Sequence, residues 1–193
     1  MKKLFVRLLV LLLLSELLLV LTSWLLSATQ TDGVRPLLSS EGLRWLLGQF
    51  TVMLLKPQLI WLLLLSMAGG CLWHSCLLRP SQASFRRRFA LRVSAVVFIV
   101  QACVVALLVC MPQAVLLSAT GTLWPSPFSR ALVPLLALIT INTSVCYGLL
   151  SRTFTSVADI YESQKWGLSQ AAPLLILYLV VVTMYESFRF VFI

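Results

Sequence analysis

The sequence predicts an all-α, polytopic membrane protein with about five transmembrane helices and one interfacial amphipathic helix. Of its 193 residues, 60% are hydrophobic and 11% charged, with a mean hydropathy of +0.99. A soluble domain is nearer half apolar and a quarter charged. Five apolar runs, 8–26, 58–78, 93–117, 131–150 and 171–193, each approach the ~20 residues that a bilayer core requires. None alternates polar and apolar side chains as a barrel strand does, and a helix satisfies its own backbone hydrogen bonds in lipid. The expected organisation is one membrane domain over 1–193.

The first span follows Met1-Lys2-Lys3. A secretory signal with a cleavage region at Ser27-Ala28 is the rival reading, but the apolar run is longer than a signal core and no lipobox cysteine follows it, so a retained anchor is expected. Glu16 stands near the middle of this span. A carboxylate there costs several kcal/mol unless it is protonated, paired or facing a wet cavity. It is a candidate proton site, and equally a protonated group bonded to a neighbouring helix near Gln101 or Asn142.

The interfacial helix is expected over 40–50. Ser39 or Ser40 can cap its first amides, and Leu43, Leu46, Leu47 and Phe50 recur at i, i+3, i+4 and i+7 with Arg44 and Gln49 off that stripe. Such a helix lies along a membrane surface, with Arg44 and Trp45 at the headgroups.

In the second span, Gly69-Gly70 offers a close helix approach. All five cysteines, Cys71, Cys76, Cys103, Cys110 and Cys146, fall in spans, which is no disulfide framework. Cys71, His74 and Cys76 do not form a metal site on a helix, because Cys76 lies about 140° around the axis from Cys71. His74 is expected to reach the interface.

The net charge of +9 centres on Phe85-Arg86-Arg87-Arg88-Phe89. A short basic loop between spans suits topology and anionic lipid headgroups, so Arg86, Arg87 and Arg88 read as membrane-surface residues and nucleic-acid binding is set aside. The preceding Ser81-Gln82-Ala83-Ser84 reads as a connector.

The fourth span carries Pro134, Thr140, Asn142, Thr143 and Ser144. Such polar groups line substrate paths or make interhelical contacts, and packing is the favoured reading. Pro112 and Pro134 permit kinked or broken helices. A solvated helical turn is expected over 156–165, with Asp159, Glu162 and Lys165 in a surface ion-pair network, and Glu186 and Arg189 are expected to pair at i, i+3.

With the N-terminus inside, ten Lys and Arg residues fall in inside segments and five in outside segments, which supports N-in and C-out for five crossings. Most tryptophans fall near span ends, where an aromatic belt is expected. Enzyme chemistry is not expected: the single histidine has no nearby aspartate partner, the carboxylates are scattered, and there is no Gly-rich phosphate loop or CxxC pair. No cofactor or metal is expected.

The run Leu37-Leu38-Ser39-Ser40-Glu41-Gly42-Leu43-Arg44-Trp45-Leu46-Leu47 resembles the stretch after the first transmembrane helix in the aminobenzoyl-glutamate transporter family. Weaker likeness continues through the basic loop, Val96-Val97-Phe98 and the Pro-containing turn before 131–150. The resemblance implies the N-terminal part of a longer transporter built of inverted halves. Family members carry a re-entrant hairpin with a Ser-Asp-containing, Ala/Gly-rich tip; the corresponding 100–108 holds no acid, glycine or serine.

Two functions are therefore expected in competition. One is a reduced transporter-like protein of a bacterial-type inner membrane that binds or moves a small organic anion, with Glu16, Gln101, Asn142 and Thr143 as proton or substrate candidates. The other is an accessory or scaffold subunit working with a larger polytopic partner or with itself.

Overall fold

A computed structural model describes residues 2–29, 33–77, 85–110 and 127–193. Among the described residues there are six helices and no strand: α1 Lys2–Ala28, α2 Ser40–Leu54, α3 Pro57–His74, α4 Phe85–Cys110, α5 Pro127–Ser151 and α6 Val157–Phe192. All but α2 are long and apolar enough to cross a membrane, so the chain is a multi-pass membrane protein.

Several boundaries depart from the sequence reading. The second span was expected to reach 78, but α3 ends at His74. Cys76 adopts a left-handed φ of 58°, and the Ser75 and Cys76 amides donate back to the Cys71 and Trp73 carbonyls at 2.9 and 3.3 Å. The basic segment is helical rather than a loop, since α4 starts at Phe85 and carries Arg86, Arg87, Arg88 and Arg92. Unbranched arginine is a good helix former, so the helix outruns its apolar part. Arg79, 81–84, Pro112, 111–117 and Trp124 lie outside the described residues.

The turn expected at 156–165 and the last span merge into α6. Its 36 residues reach about 54 Å at 1.5 Å each, well beyond a ~30 Å bilayer core. The polar first turns therefore extend outside the apolar segment that begins at 171. Pro134 and Pro173 sit inside unbroken α5 and α6.

Contacts divide the chain into two compact units, Met1–Ile60 with Ala172–Ile193, and Trp61–Ala171. In the first unit, Ser15 on α1 donates its hydroxyl to the Met184 sulfur at 3.0 Å. The Ser39 hydroxyl caps α2 by accepting the Gly42 amide at 3.0 Å. Gly42 is buried against the Leu37 backbone, where any Cβ would collide. The Arg35 amide donates to the Val191 carbonyl at 3.2 Å, tying the segment before α2 to the end of α6.

In the second unit, α4 packs along α5. The start of α6 crosses α3 at a pair of glycines: a Cβ on Gly70 would stand 2.9 Å from the Gly167 Cα and closer still to the Ser163 carbonyl. Gly69 meets nothing, so the close approach expected of the pair belongs to Gly70 alone. Beside the crossing, buried Cys71 contacts the Ser163 hydroxyl at 3.4 Å. After α5, the Phe154 ring folds over Gly148 and its amide donates to the Gly148 carbonyl at 3.0 Å. Arg86 donates its Nε–H to the Leu150 carbonyl at 3.0 Å, satisfying one of the free carbonyls at the end of α5.

Candidate functional site

In the first unit, α2 and the end of α6 enclose a cavity of about 400 Å³ lined by Arg35, Trp45, Gln49, Glu186, Arg189 and Phe190. Helical spacing explains the convergence. Trp45 and Gln49 are i, i+4 on α2, and Glu186, Arg189 and Phe190 are i, i+3, i+4 on α6, so each set shares a face. The apolar stripe of α2 points the other way, with Leu47 79% and Leu43 49% exposed, leaving the Trp45 side for the cleft. Trp45 and Phe190 stack with ring centroids 4.3 Å apart.

The charges in this cleft are unequal. Glu186 pairs with Lys56 rather than with Arg189, the partner expected from i, i+3 spacing. Lys56 also lies 5.6 Å above the Tyr185 ring, a cation–π contact that helps hold it in place. Among the described residues neither Arg35 nor Arg189 has an ion-pair partner. The wall thus carries one neutralised carboxylate and two uncompensated guanidinium groups beside the Gln49 amide and an aromatic stack. Such a set can hold a planar, negatively charged group by paired N–H donors.

The expected site residues do not gather there. Glu16 is half-buried on α1 and has no hydrogen bond or ion pair among the described residues. Gln101, Asn142 and Thr143 belong to the second unit, on α4 and α5. Thr143 is buried, spends its hydroxyl on the Ile139 carbonyl at 2.7 Å, and lines an almost wholly apolar cavity of about 400 Å³ with Leu91, Ser94, Phe98 and Ile99. Gln101 is not among the residues that line that cavity, which on α4 reach as far as Ile99. Among the described residues its Oε1 is buried without a partner, as is the Ser144 hydroxyl. Asn142 faces outward, exposed.

Of the membrane-surface residues, Arg44 and Arg88 are exposed, Arg86 caps α5, and Trp45 sits in the cleft. Asp159 does not join Lys165. Its carboxylate accepts the Thr155 amide at 2.7 Å, the Thr155 hydroxyl at 2.8 Å and the Ser156 amide at 3.0 Å. These bonds, the Thr155 amide first, hold its pKa below the usual carboxylate value in the polar first turn of α6. Glu162 pairs with Lys165 at 3.1 Å, as the spacing implies.

Of the cleft residues, Gln49 reads from the sequence as lying off the apolar stripe of α2 and Trp45 as a headgroup residue. Arg35, Glu186 and Arg189 gave no such signal, because only folding brings chain ends some 150 residues apart to one place.

A family model described as the AbgT putative transporter family matches residues 79–191. That match begins after 37–47, the run that carries the strongest resemblance to the family. The p-aminobenzoyl-glutamate transport protein of Escherichia coli (strain K12) is 35% identical over 75 residues, which is 38% of this chain and 15% of the relative. The chain thus matches only a small part of that relative's length. No solved structure matches.

Proposed function

Since the chain belongs to the AbgT putative transporter family, we propose that it is a transporter-like membrane protein that binds a small organic anion, an aromatic carboxylate, in the α2–α6 cleft. The observation that carries this reading is the pair of uncompensated guanidinium groups, Arg35 and Arg189, facing the same cavity as the Trp45–Phe190 stack. Arginine forks match a carboxylate bidentately, and an aromatic wall accepts the ring of the same ligand. The relative's name supplies a probe of this chemistry, because p-aminobenzoyl-glutamate joins an aromatic ring to carboxylates.

Positive-inside bias supports an inner-membrane orientation with the N-terminus and the arginines of α4 in the cytoplasm, and the cleft on the outer side. Glu16, a carboxylate in an apolar helix, is the proton site of this reading.

Purified protein in proteoliposomes tests it. Uptake of p-aminobenzoyl-glutamate should respond to a pH gradient, and Glu16→Gln should abolish uptake while leaving the helical content unchanged. If the liposomes show no flux and the protein co-purifies in fixed ratio with a polytopic partner, the accessory-subunit reading replaces it.

A further inference from the structure

In the second unit, α4, Thr143 of α5 and Leu77, which follows α3, frame the apolar cavity of about 400 Å³. Its two hydroxyls are spent inside their own helices, Ser94 on the Leu91 carbonyl at 3.0 Å and Thr143 on the Ile139 carbonyl at 2.7 Å. The groove therefore offers an occupant no hydrogen bond, and an apolar chain fits it without loss. From Leu91 to Ile99 it runs about 12 Å along α4, close to the depth of one leaflet of a ~30 Å core. Phe98 and Ile99 on its wall are 51% and 58% exposed, so this stretch of a membrane-crossing helix leaves the groove open to lipid.

The same face of α4 becomes basic one turn nearer the helix start. Arg87 and Arg88 precede Leu91 by four and three residues, which at about 100° per residue keeps them within the arc of the groove residues, and Arg92 flanks that arc. Arg88 and Arg92 are exposed, stand at i, i+4 and have no ion-pair partner among the described residues. Like charges at that spacing repel, and an anion between them removes the repulsion. The acids of this unit do not supply it: Asp159 accepts from Thr155 and Ser156, and Glu162 pairs with Lys165.

We propose that the groove and its arginine collar bind one anionic phospholipid, with an acyl chain along Leu91, Phe98 and Ile99 and the phosphodiester held by Arg88 and Arg92. Guanidinium forks match phosphate oxygens with paired N–H donors. An apolar slot that ends in two unpaired cations calls for an occupant with an apolar tail and an anionic head. A free anion leaves the slot unfilled, and a zwitterionic lipid brings its own cation to the arginines. The general attraction of a basic helix end to an anionic leaflet needs no groove and holds no particular lipid, whereas this site retains one. It is separate from the α2–α6 cleft, which belongs to the other unit.

The test is native mass spectrometry of the full chain, delipidated in mild detergent and titrated with phosphatidylglycerol or with phosphatidylcholine of the same acyl chains. Wild type is expected to take up one phosphatidylglycerol per chain and to bind phosphatidylcholine about ten-fold more weakly. Arg88→Gln/Arg92→Gln should bring phosphatidylglycerol down to the phosphatidylcholine level, while Arg44→Gln, an exposed arginine of the other unit, should stay at wild type. Ala95→Trp, which fills the groove and keeps both arginines, should weaken both lipids. Circular dichroism on the same samples identifies a variant that has failed to fold, and the exposed arginine pair can be replaced without disturbing buried packing. Glycerol phosphate, a headgroup without chains, should not compete at equal concentration. Equal affinity for the two lipids, wild-type uptake by Arg88→Gln/Arg92→Gln or by Ala95→Trp, an equal loss from Arg44→Gln, or competition by glycerol phosphate would each overturn the proposal.

Discussion

The indole of Trp45 on α2 and the ring of Phe190 on α6 stack with centroids 4.3 Å apart and planes inclined by 24°. This contact joins the surface helix to the last membrane helix and forms one wall of the cleft. Trp45→Ala should cost about 1 kcal/mol beyond the lost apolar area, and should weaken anion binding by loosening α2, whereas Trp45→Phe should retain most of both. Thermal unfolding in detergent, alongside ligand titration, measures the two effects.

The Lys56–Glu186 pair sets the charge of the same cleft. Lys56→Met leaves the Glu186 carboxylate uncompensated beside the bound anion and should weaken binding several-fold. Glu186→Gln removes that carboxylate and should strengthen binding. Opposite signs from the two halves of one ion pair separate an electrostatic role from a structural one, which would weaken binding in both.

At the α3–α6 crossing, Gly70→Ala and Gly167→Ala each place a Cβ against backbone that has no flexible end to move aside. Each should destabilise the protein by roughly 1–3 kcal/mol. Gly69→Ala meets open space and removes a poor helix former, so it should be neutral or stabilising by up to about 1 kcal/mol. Melting temperatures of the three variants in one detergent give the comparison.

Asp159 makes the first turn of α6 sensitive to acid. Its carboxylate is held below its ordinary pKa by the Thr155 and Ser156 donors, so its stabilising contribution is complete above the unfolded value of about 4 and is lost as pH falls through the lower folded value. Amide protection at 155–160, referred to the intrinsic exchange rate at each pH, should fall on acidification in wild type. Asp159→Asn should show lower protection at neutral pH and little further change with acid.

The membrane spans were legible in the sequence because the bilayer imposes both length and apolarity on a helix, and the surface helix was legible from the spacing of Leu43, Leu46, Leu47 and Phe50. A serine cap at Ser39 or Ser40 followed from residue type, and the fold uses Ser39. Where α3 stops was hidden, since Cys76 takes a left-handed conformation that its side chain does not favour. The extent of α4 and α6 was hidden too, because hydropathy marks the membrane-embedded part of a helix and not its polar continuation. Glu186 illustrates the limit at the site: local spacing offered Arg189, but the folded chain brings Lys56, 130 residues away, to the carboxylate instead. That exchange leaves Arg189 without an ion-pair partner among the described residues.

Isothermal titration of the purified full chain with p-aminobenzoyl-glutamate tests the anion-binding cleft most directly, comparing wild type with the Arg35→Gln/Arg189→Gln double variant at equal helical content. Saturable binding in wild type, weakened at least about ten-fold by loss of the two guanidinium groups, is the expected result. Equal affinity in both proteins, or no binding by wild type at millimolar ligand, would contradict it.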